Sequence, residues 1–215
     1  FAALAAERPD LLLVPGDLLQ LDRRLTKVEV AREREALARL FAGIEPEPRL
    51  GMWLVQGDCD APSDTFPGSG LVRLEDEAVV FAEEGLQLVG LSLGAARRAV
   101  PEELLERARA FDGLTLVFGH APEFALGTQA PGVPLLCIAG HTHGGQVQFP
   151  FFGPPITLAR IPAAMAAGGL FELGDSWLCV SRGIGMERHV APRIRFLCRP
   201  ELVVLELVPL AEARD

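Results

Sequence analysis

Four short apolar runs, each closed by a glycine and then a carboxylate or an imidazole, limit what this chain can fold into more than any other feature. Leu11–Val14 leads to Gly16 and Asp17, and Met52–Val55 leads to Gly57 and Asp58. Leu114–Phe118 leads to Gly119 and His120, and Val133–Ala139 leads to Gly140 and His141. Runs this short and this apolar read as buried strands. In an open α/β sheet the carboxyl ends of the strands converge on the ligand crevice. The pattern therefore delivers Asp17, Asp58, His120, His141 and, one residue further, His143 to one edge. A single His-x-His pair in a strand carries little weight. Four strand ends that each present a metal-type side chain carry much more, and the glycines Gly144 and Gly145 let the chain turn directly after the pair.

The remainder alternates helix and strand. Val30–Ile44 reads as a helix with Leu37, Leu40, Phe41 and Ile44 on one face, and Arg32–Glu35 in its solvated first turns. Pro101-Glu102-Glu103 opens another helix, with Leu104, Ala108 and Phe111 facing inward. Leu71-Val72, Ala78–Phe81, Leu86–Leu93, Trp177–Ser181 and Leu202–Leu207 read as further strands, and Ala61–Gly70 as a loop. The expectation is one α/β domain over residues 1–215, built as stacked sheets flanked by helices.

The order Gly16-Asp17, Gly57-Asp58-Cys59-Asp60, Gly119-His120 and Gly140-His141-Thr142-His143 resembles the calcineurin-like metallophosphoesterases. Gly140–Gln146 followed by Val147 and Pro150, then Leu178–Gly185, Arg195 and Arg199–Leu207, is similar to a bacterial branch of that superfamily. That branch includes membrane-associated phosphodiesterases and UDP-diacylglucosamine pyrophosphohydrolases of lipid A synthesis. The resemblance spans nearly the whole chain and implies a four-layer αββα sandwich of two mixed sheets. It also implies a phosphodiesterase or pyrophosphohydrolase that attacks with a metal-bound hydroxide. Two divalent ions roughly 3.5–4 Å apart stabilise phosphoryl charge and generate that hydroxide. The resemblance makes Asp17 the bridging ligand, completes one site with Asp58, His120 and His141, and gives His143 to the other. It places Asp17, Asp58, Cys59 and His120 in the catalytic set. Mixed carboxylate and imidazole ligands suit Mn, Fe or Zn better than Ca.

Two departures from the family pattern bear on this. The family carries an Asp-x-His motif at the end of its first strand, well before the bridging Asp, and Asp17 lies too close to residue 1 for that motif to be present. Phe1–Arg8 reads instead as the tail of the helix that follows that strand. With the motif go two ligands of the His143 metal and a central strand, leaving this chain with as few as one ion. Either the chain is a fragment of a longer protein or that site is absent. The fragment reading is favoured, because removing a central strand would expose a large apolar face. The second departure is Gly57-Asp58-Cys59-Asp60, where the family usually has Asn at position 58 and His at position 59. Asp58 keeps an oxygen ligand and adds negative charge. Cys59 is a weak hydrogen-bond donor in place of the acid that protonates the leaving oxygen, which favours substrates with good leaving groups. A relative with an acidic residue at the Asn position serves mainly as a protein-binding platform, so a catalytically impaired metal-binding scaffold is the rival reading.

Several residues are candidates for substrate contact. Gly144, Gly145 and Gln146 either offer backbone amides to phosphate oxygens or form a turn that needs positive φ. Arg182 either reaches the cleft or pairs with a carboxylate. His189 lies among Arg188, Arg193 and Arg195, a cluster that reads either as a site for a distal phosphate or as a solvated loop. The apolar loop Phe149–Ile156 either packs within the domain or seats an acyl chain, a membrane surface or a nucleobase. The expected substrates are phosphodiesters, nucleotides or nucleotide-lipids. A formal net charge of -9 argues against general nucleic-acid binding. Hydrophobic residues make up 49 %, but no run approaches the roughly twenty needed to span a bilayer. The expectation is a cytoplasmic protein, with peripheral membrane contact left open. Cys59, Cys137, Cys179 and Cys198 lack Cys-x-x-Cys spacing and read as core thiols rather than zinc ligands or disulfides.

Overall fold

The computed structural model describes residues 2–20, 25–61, 66–128, 130–187 and 192–208. The first third runs through helix α1 (Ala2–Glu7), strand β1 (Leu12–Val14), helix α2 (Lys27–Ala42) and strands β2 (Met52–Leu54) and β3 (Leu71–Arg73). Next come β4 (Glu77–Phe81), β5 (Leu86–Gly90), helices α3 (Leu93–Ala96) and α4 (Glu102–Ala110), and β6 (Leu114–Gly119). Helix α5 (Glu123–Gly127), β7 (Leu135–Ala139), helix α6 (Ala163–Ala166), β8 (Gly169–Leu173) and β9 (Ser176–Val180) complete the series.

The strands form two sheets. The smaller, β1-β2-β3, is parallel throughout, and the larger runs β4-β5-β6-β7-β9-β8. In the larger sheet β5, β6, β7 and β9 are parallel, while β4 and β8 run antiparallel at its edges. Strand alternation sets the layers. Leu12, Val14, Met52 and Leu54 pack with Ala38 and Phe41 of α2. Leu13 and Trp53 turn the other way, against Leu88, Leu116 and Phe118 of the larger sheet. The far face of that sheet, Val89, Val117, Cys137 and Val180, is covered by Leu104, Leu105 and Ala108 of α4 and by Phe124 of α5. The result is helix, sheet, sheet, helix, as the resemblance implied. Parallel strands of both sheets thus end near one another, which is what the strand-end chemistry requires.

Several local expectations need correction. Helix α2 starts earlier than its apolar periodicity suggests. Thr26 Oγ1 accepts the Glu29 N–H at 3.3 Å, and the Glu29 carboxylate accepts the Thr26 N–H at 2.7 Å, a reciprocal cap that fixes the first turn. Leu40 does not face inward but is 49 % exposed, and Ala38 takes its place in the core. The strand expected over Leu86–Leu93 stops at Gly90, because Ser92 caps α3 by accepting the Ala95 N–H at 3.3 Å. Leu202–Leu207 is not a strand. No ladder partner meets it among the described residues, and Leu202, Val203, Val204 and Leu207 stay exposed. Periodicity alone cannot supply the hydrogen-bonding edge that a strand needs. Cys137, Cys179 and Cys198 are buried core thiols as expected, whereas Cys59 is half-buried at the edge of a cleft; all four are free. Among the described residues no helix is long and apolar enough to cross a membrane.

Candidate metal centre

Asp17 follows β1, Asp58 follows β2, His120 directly follows β6, and His141 lies just past β7. Two ligand-type residues therefore come from each sheet. One donor atom from each of the four lies within 4.8 Å of every other. Atoms on opposite sides of a metal held at roughly 2.0–2.2 Å lie no more than about 4.4 Å apart. The set needs to contract by only a few tenths of an ångström around an ion.

The two strand-end loops touch, and this explains the repeated Gly-Asp. A Cβ on Gly57 would overlap the backbone nitrogen and Oδ1 of Asp17, and a Cβ on Gly16 would stand 2.5 Å from Gly57 N and 2.8 Å from His120 Nδ1. Asp60, which the sequence reading passed over, locks this contact. Its buried Oδ2 accepts the N–H groups of Asp17 at 2.7 Å and of Gly57 at 2.9 Å. The Cys59 N–H donates to Asp17 Oδ1 at 2.8 Å. Asp17, His141 and His143 have φ of 55°, 66° and 49°. Left-handed backbone costs of order 1–3 kcal/mol per residue away from glycine, although Asp and His tolerate it better than most. Such strain, gathered at one cleft, is held in place by the packing around it.

The imidazoles are oriented from behind. His120 Nδ1 lies 2.8 Å from the Pro15 carbonyl, and His141 Nε2 lies 3.1 Å from the Leu158 carbonyl. A carbonyl only accepts, so each of these nitrogens carries the proton, and the opposite nitrogen of a neutral ring presents a lone pair. Those lone-pair nitrogens, His120 Nε2 and His141 Nδ1, face each other at 3.0 Å. His120 Nε2 is 3.4 Å from Asp17 Oδ2 and 3.7 Å from Asp58 Oδ1, and His141 Nδ1 is 3.5 Å from Asp58 Oδ2. Four acceptor atoms pointed at one another repel unless a proton or a cation lies among them. The donor set therefore fits a divalent ion, and the two carbonyls supply the outer hydrogen bonds that metal-binding histidines need.

Protonation of the four groups follows from their surroundings. Burial is the main cause that raises Asp17, from 3.8 to about 6, against the lowering effect of His120 and the Cys59 N–H. Asp58 is held well below the carboxylate range, first by its close approach to His120. Burial lowers His120, but the neighbouring Asp58 and Asp17 carboxylates outweigh it, and the net shift is upward. His141 is lowered, by burial first and then by His120. A metal must therefore displace a proton from Asp17 below pH of about 6. Mn²⁺ affinity, measured by calorimetry, should be flat near pH 8, begin to fall where His120 must give up its proton, and steepen below pH of about 6 as Asp17 also takes one up. An affinity indifferent to pH between 7 and 5 would remove Asp17 from the ligand set.

His143 stands apart from the four. It borders the same cleft, of about 560 Å³, and its Nδ1 is buried without a hydrogen-bond partner among the described residues. Cys59 also borders the cleft, with Sγ 3.5 Å from Gln20 Nε2 and 3.7 Å from Asp58 Oδ1. Burial first, then Asp17 and Asp58, push its thiol up to about 12. At neutral pH it is neither a thiolate nucleophile nor an efficient acid.

The amides of Gly144, Gly145 and Gln146 are not open to phosphate. Gly144 N–H donates to Thr142 Oγ1, Gly145 N–H to the Thr142 carbonyl, and Gln146 N–H to the His143 carbonyl. The residues form a tight turn with φ of 61°, 71° and 58°, and the Gln146 side chain is buried. Arg182 pairs with Glu201 at 3.0 Å rather than reaching for a ligand, and its backbone N–H donates to the same carboxylate at 2.9 Å. Arg195 bridges loops by donating to the carbonyls of His143, Arg182 and Gly185. Arg188 and His189 lie outside the described residues. The sequence reading missed Gln20, Arg97, Glu123, Arg160 and Glu187, all of which border the cleft. Arg97 carried a signal, since it follows β5, another parallel strand with the same orientation as β6 and β7.

No protein-family model matches the chain. It is 40 % identical over 93 residues to a protein of Bacillus subtilis (strain 168) named as an uncharacterized metallophosphoesterase, YkuE; the match covers 43 % of this chain and 30 % of that protein. It is 28 % identical over 214 residues to the phosphodiesterase YaeI of Escherichia coli (strain K12), a match covering 94 % of this chain and 72 % of YaeI. The chain thus spans less than a third of the first relative and under three-quarters of the second. These relatives support the metallophosphoesterase superfamily and point to a metal-dependent phosphohydrolase, and the Asp/His cluster offers a place for its metal.

Proposed function

We propose that this chain hydrolyses phosphodiester or pyrophosphate bonds at the cleft between the two sheets, with Asp17, Asp58, His120 and His141 holding a divalent metal. The observation that carries this is the pair of back-anchored imidazoles, whose lone pairs meet two carboxylates. When bound, such a metal polarises the phosphoryl group and lowers the pKa of water. A second ion would share Asp17 and would be held in part by His143, whose Nδ1 has no hydrogen-bond partner among the described residues. Mn, Fe and Zn all suit these ligands. The chain's own residues fix the ligand geometry through Pro15, Leu158 and Asp60. Protonation of the leaving oxygen falls to water, because the Cys59 thiol is too weak an acid. The reaction is therefore directed to esters with good leaving groups. Exposed Phe151 and Phe152, on the loop after the His143 turn, would let a lipid tail or a membrane surface approach the cleft.

Chelator-stripped protein titrated with Mn²⁺ should recover hydrolysis of bis(4-nitrophenyl) phosphate. His141→Ala should lose at least a hundredfold in kcat/KM, the scale on which removal of one electrostatic group acts. Tight metal binding without turnover would favour the scaffold reading instead. Absence of metal binding would overturn both.

A further inference from the structure

The charge inventory of the cleft leaves one group unexplained. Four carboxylates border it (Asp17, Asp58, Glu123 and Glu187), against two guanidiniums, Arg97 and Arg160. With both arginines counted, one divalent ion would bring the formal charge to zero. The two arginines are not equivalent. Arg97 Nη2 donates to Asp58 Oδ2 at 2.8 Å, so this guanidinium is already paired with a ligand carboxylate and offsets its charge. The Arg160 side chain has no partner among the described residues.

The backbone around Arg160 is nevertheless held firmly. Its N–H donates to Glu123 Oε1 at 2.7 Å, and Glu123 opens α5, three residues after His120. Two residues before Arg160, the Leu158 carbonyl receives His141 Nε2. The segment carrying Arg160 is thus tied to the metal centre on two sides, while its guanidinium projects unpaired beside the cleft. A guanidinium that lines the same cleft as the metal cluster, with five donors unused, suits a second anion beside a phosphate held there.

We propose that Arg160 is a specificity residue that reads a second anionic group on the substrate, adjacent to the scissile phosphate. This selects pyrophosphate-linked or otherwise doubly anionic substrates over simple diesters. The proposal rests on the phosphohydrolase reading above, but its test does not depend on turnover. Dimethyl pyrophosphate and dimethyl phosphate would be titrated calorimetrically into Mn²⁺-loaded protein. The wild type should bind the pyrophosphate diester about tenfold or more tightly than the monophosphate diester. Arg160→Ala should bring the ratio near unity with the affinity for dimethyl phosphate little changed, and Arg160→Lys should restore part of it. Arg98→Ala, which removes the same charge outside the cleft, should leave the ratio as it was. A ratio unaltered in Arg160→Ala, or lost equally in Arg98→Ala, overturns the proposal. Preserved binding without hydrolysis would instead count against the phosphohydrolase reading alone.

Discussion

Asp17→Asn should make the metal-free protein more stable at pH 8 while abolishing its metal chemistry. The side chain is 14 % exposed, and its pKa rises from 3.8 to about 6, so ionised Asp17 is a burden on the fold without a cation. The sign follows from proton linkage. Between these pKa values the folded state retains a proton that the unfolded state has lost, so this group's contribution falls as pH rises through about 4 to 6. The deficit is complete above that window. Its size is about 3 kcal/mol. Asparagine keeps an oxygen for the Cys59 N–H and carries no charge. Thermal unfolding at pH 8 in chelator should show the Asp17→Asn variant melting a few degrees higher, at about 2–4 °C per kcal/mol for a domain of this size. Mn²⁺ should then raise the melting temperature of the wild type and leave the variant unmoved. A variant that still gains stability from Mn²⁺ would show that Asp17 is not a ligand.

Gly57→Ala should damage the centre nearly as much although it replaces no ligand residue. The added methyl would sit on the Asp17 backbone and carboxylate, and neither can retreat, because Asp60 holds both loops. Overpacking of this kind costs about 1–3 kcal/mol. Here the displaced group is the one on which the four-atom geometry depends. Metal affinity should drop at least tenfold, with far-ultraviolet circular dichroism unchanged. Gly68→Ala gives a contrast: no atom of the described residues lies within 4 Å of its added methyl, and its φ of 75° is the strain that remains. It should lose stability without losing metal affinity. Equal metal affinity in Gly57→Ala and wild type would refute the interlocked-loop account.

The strand ends were legible because strand and chemistry share one signal there. An apolar run states where the strand lies, and the Gly-Asp or Gly-His that follows states what it presents, so Asp17, Asp58, His120 and His141 could be placed before any coordinates. The layers followed from the same alternation, with Leu13 and Trp53 facing one way and Leu12 and Met52 the other. What could not be read depended on tertiary partners. Arg160 enters the cleft on a loop and Glu123 at the start of α5, a helix too short to show a sequence period. The amides of Gly144–Gln146 are consumed by a turn whose hydrogen bonds come from Thr142 and His143, and glycine content alone does not distinguish an open cradle from a closed one. Leu202–Leu207 alternates like a strand, but whether it pairs depends on a neighbouring edge and not on its own residues.

The orientation of the two imidazoles by main-chain carbonyls has a consequence for how such a chain can diverge. Loops of α/β proteins ordinarily absorb insertions and deletions freely. Here the Pro15 turn and the segment around Leu158 carry no ligand, but each fixes a tautomer by the position of one peptide oxygen. Side chains at these positions can be exchanged widely, because a carbonyl belongs to every residue. Chain length cannot change so freely: one residue added or removed would rotate that oxygen away and release the ring behind it. Selection at these loops therefore acts on spacing rather than on residue identity.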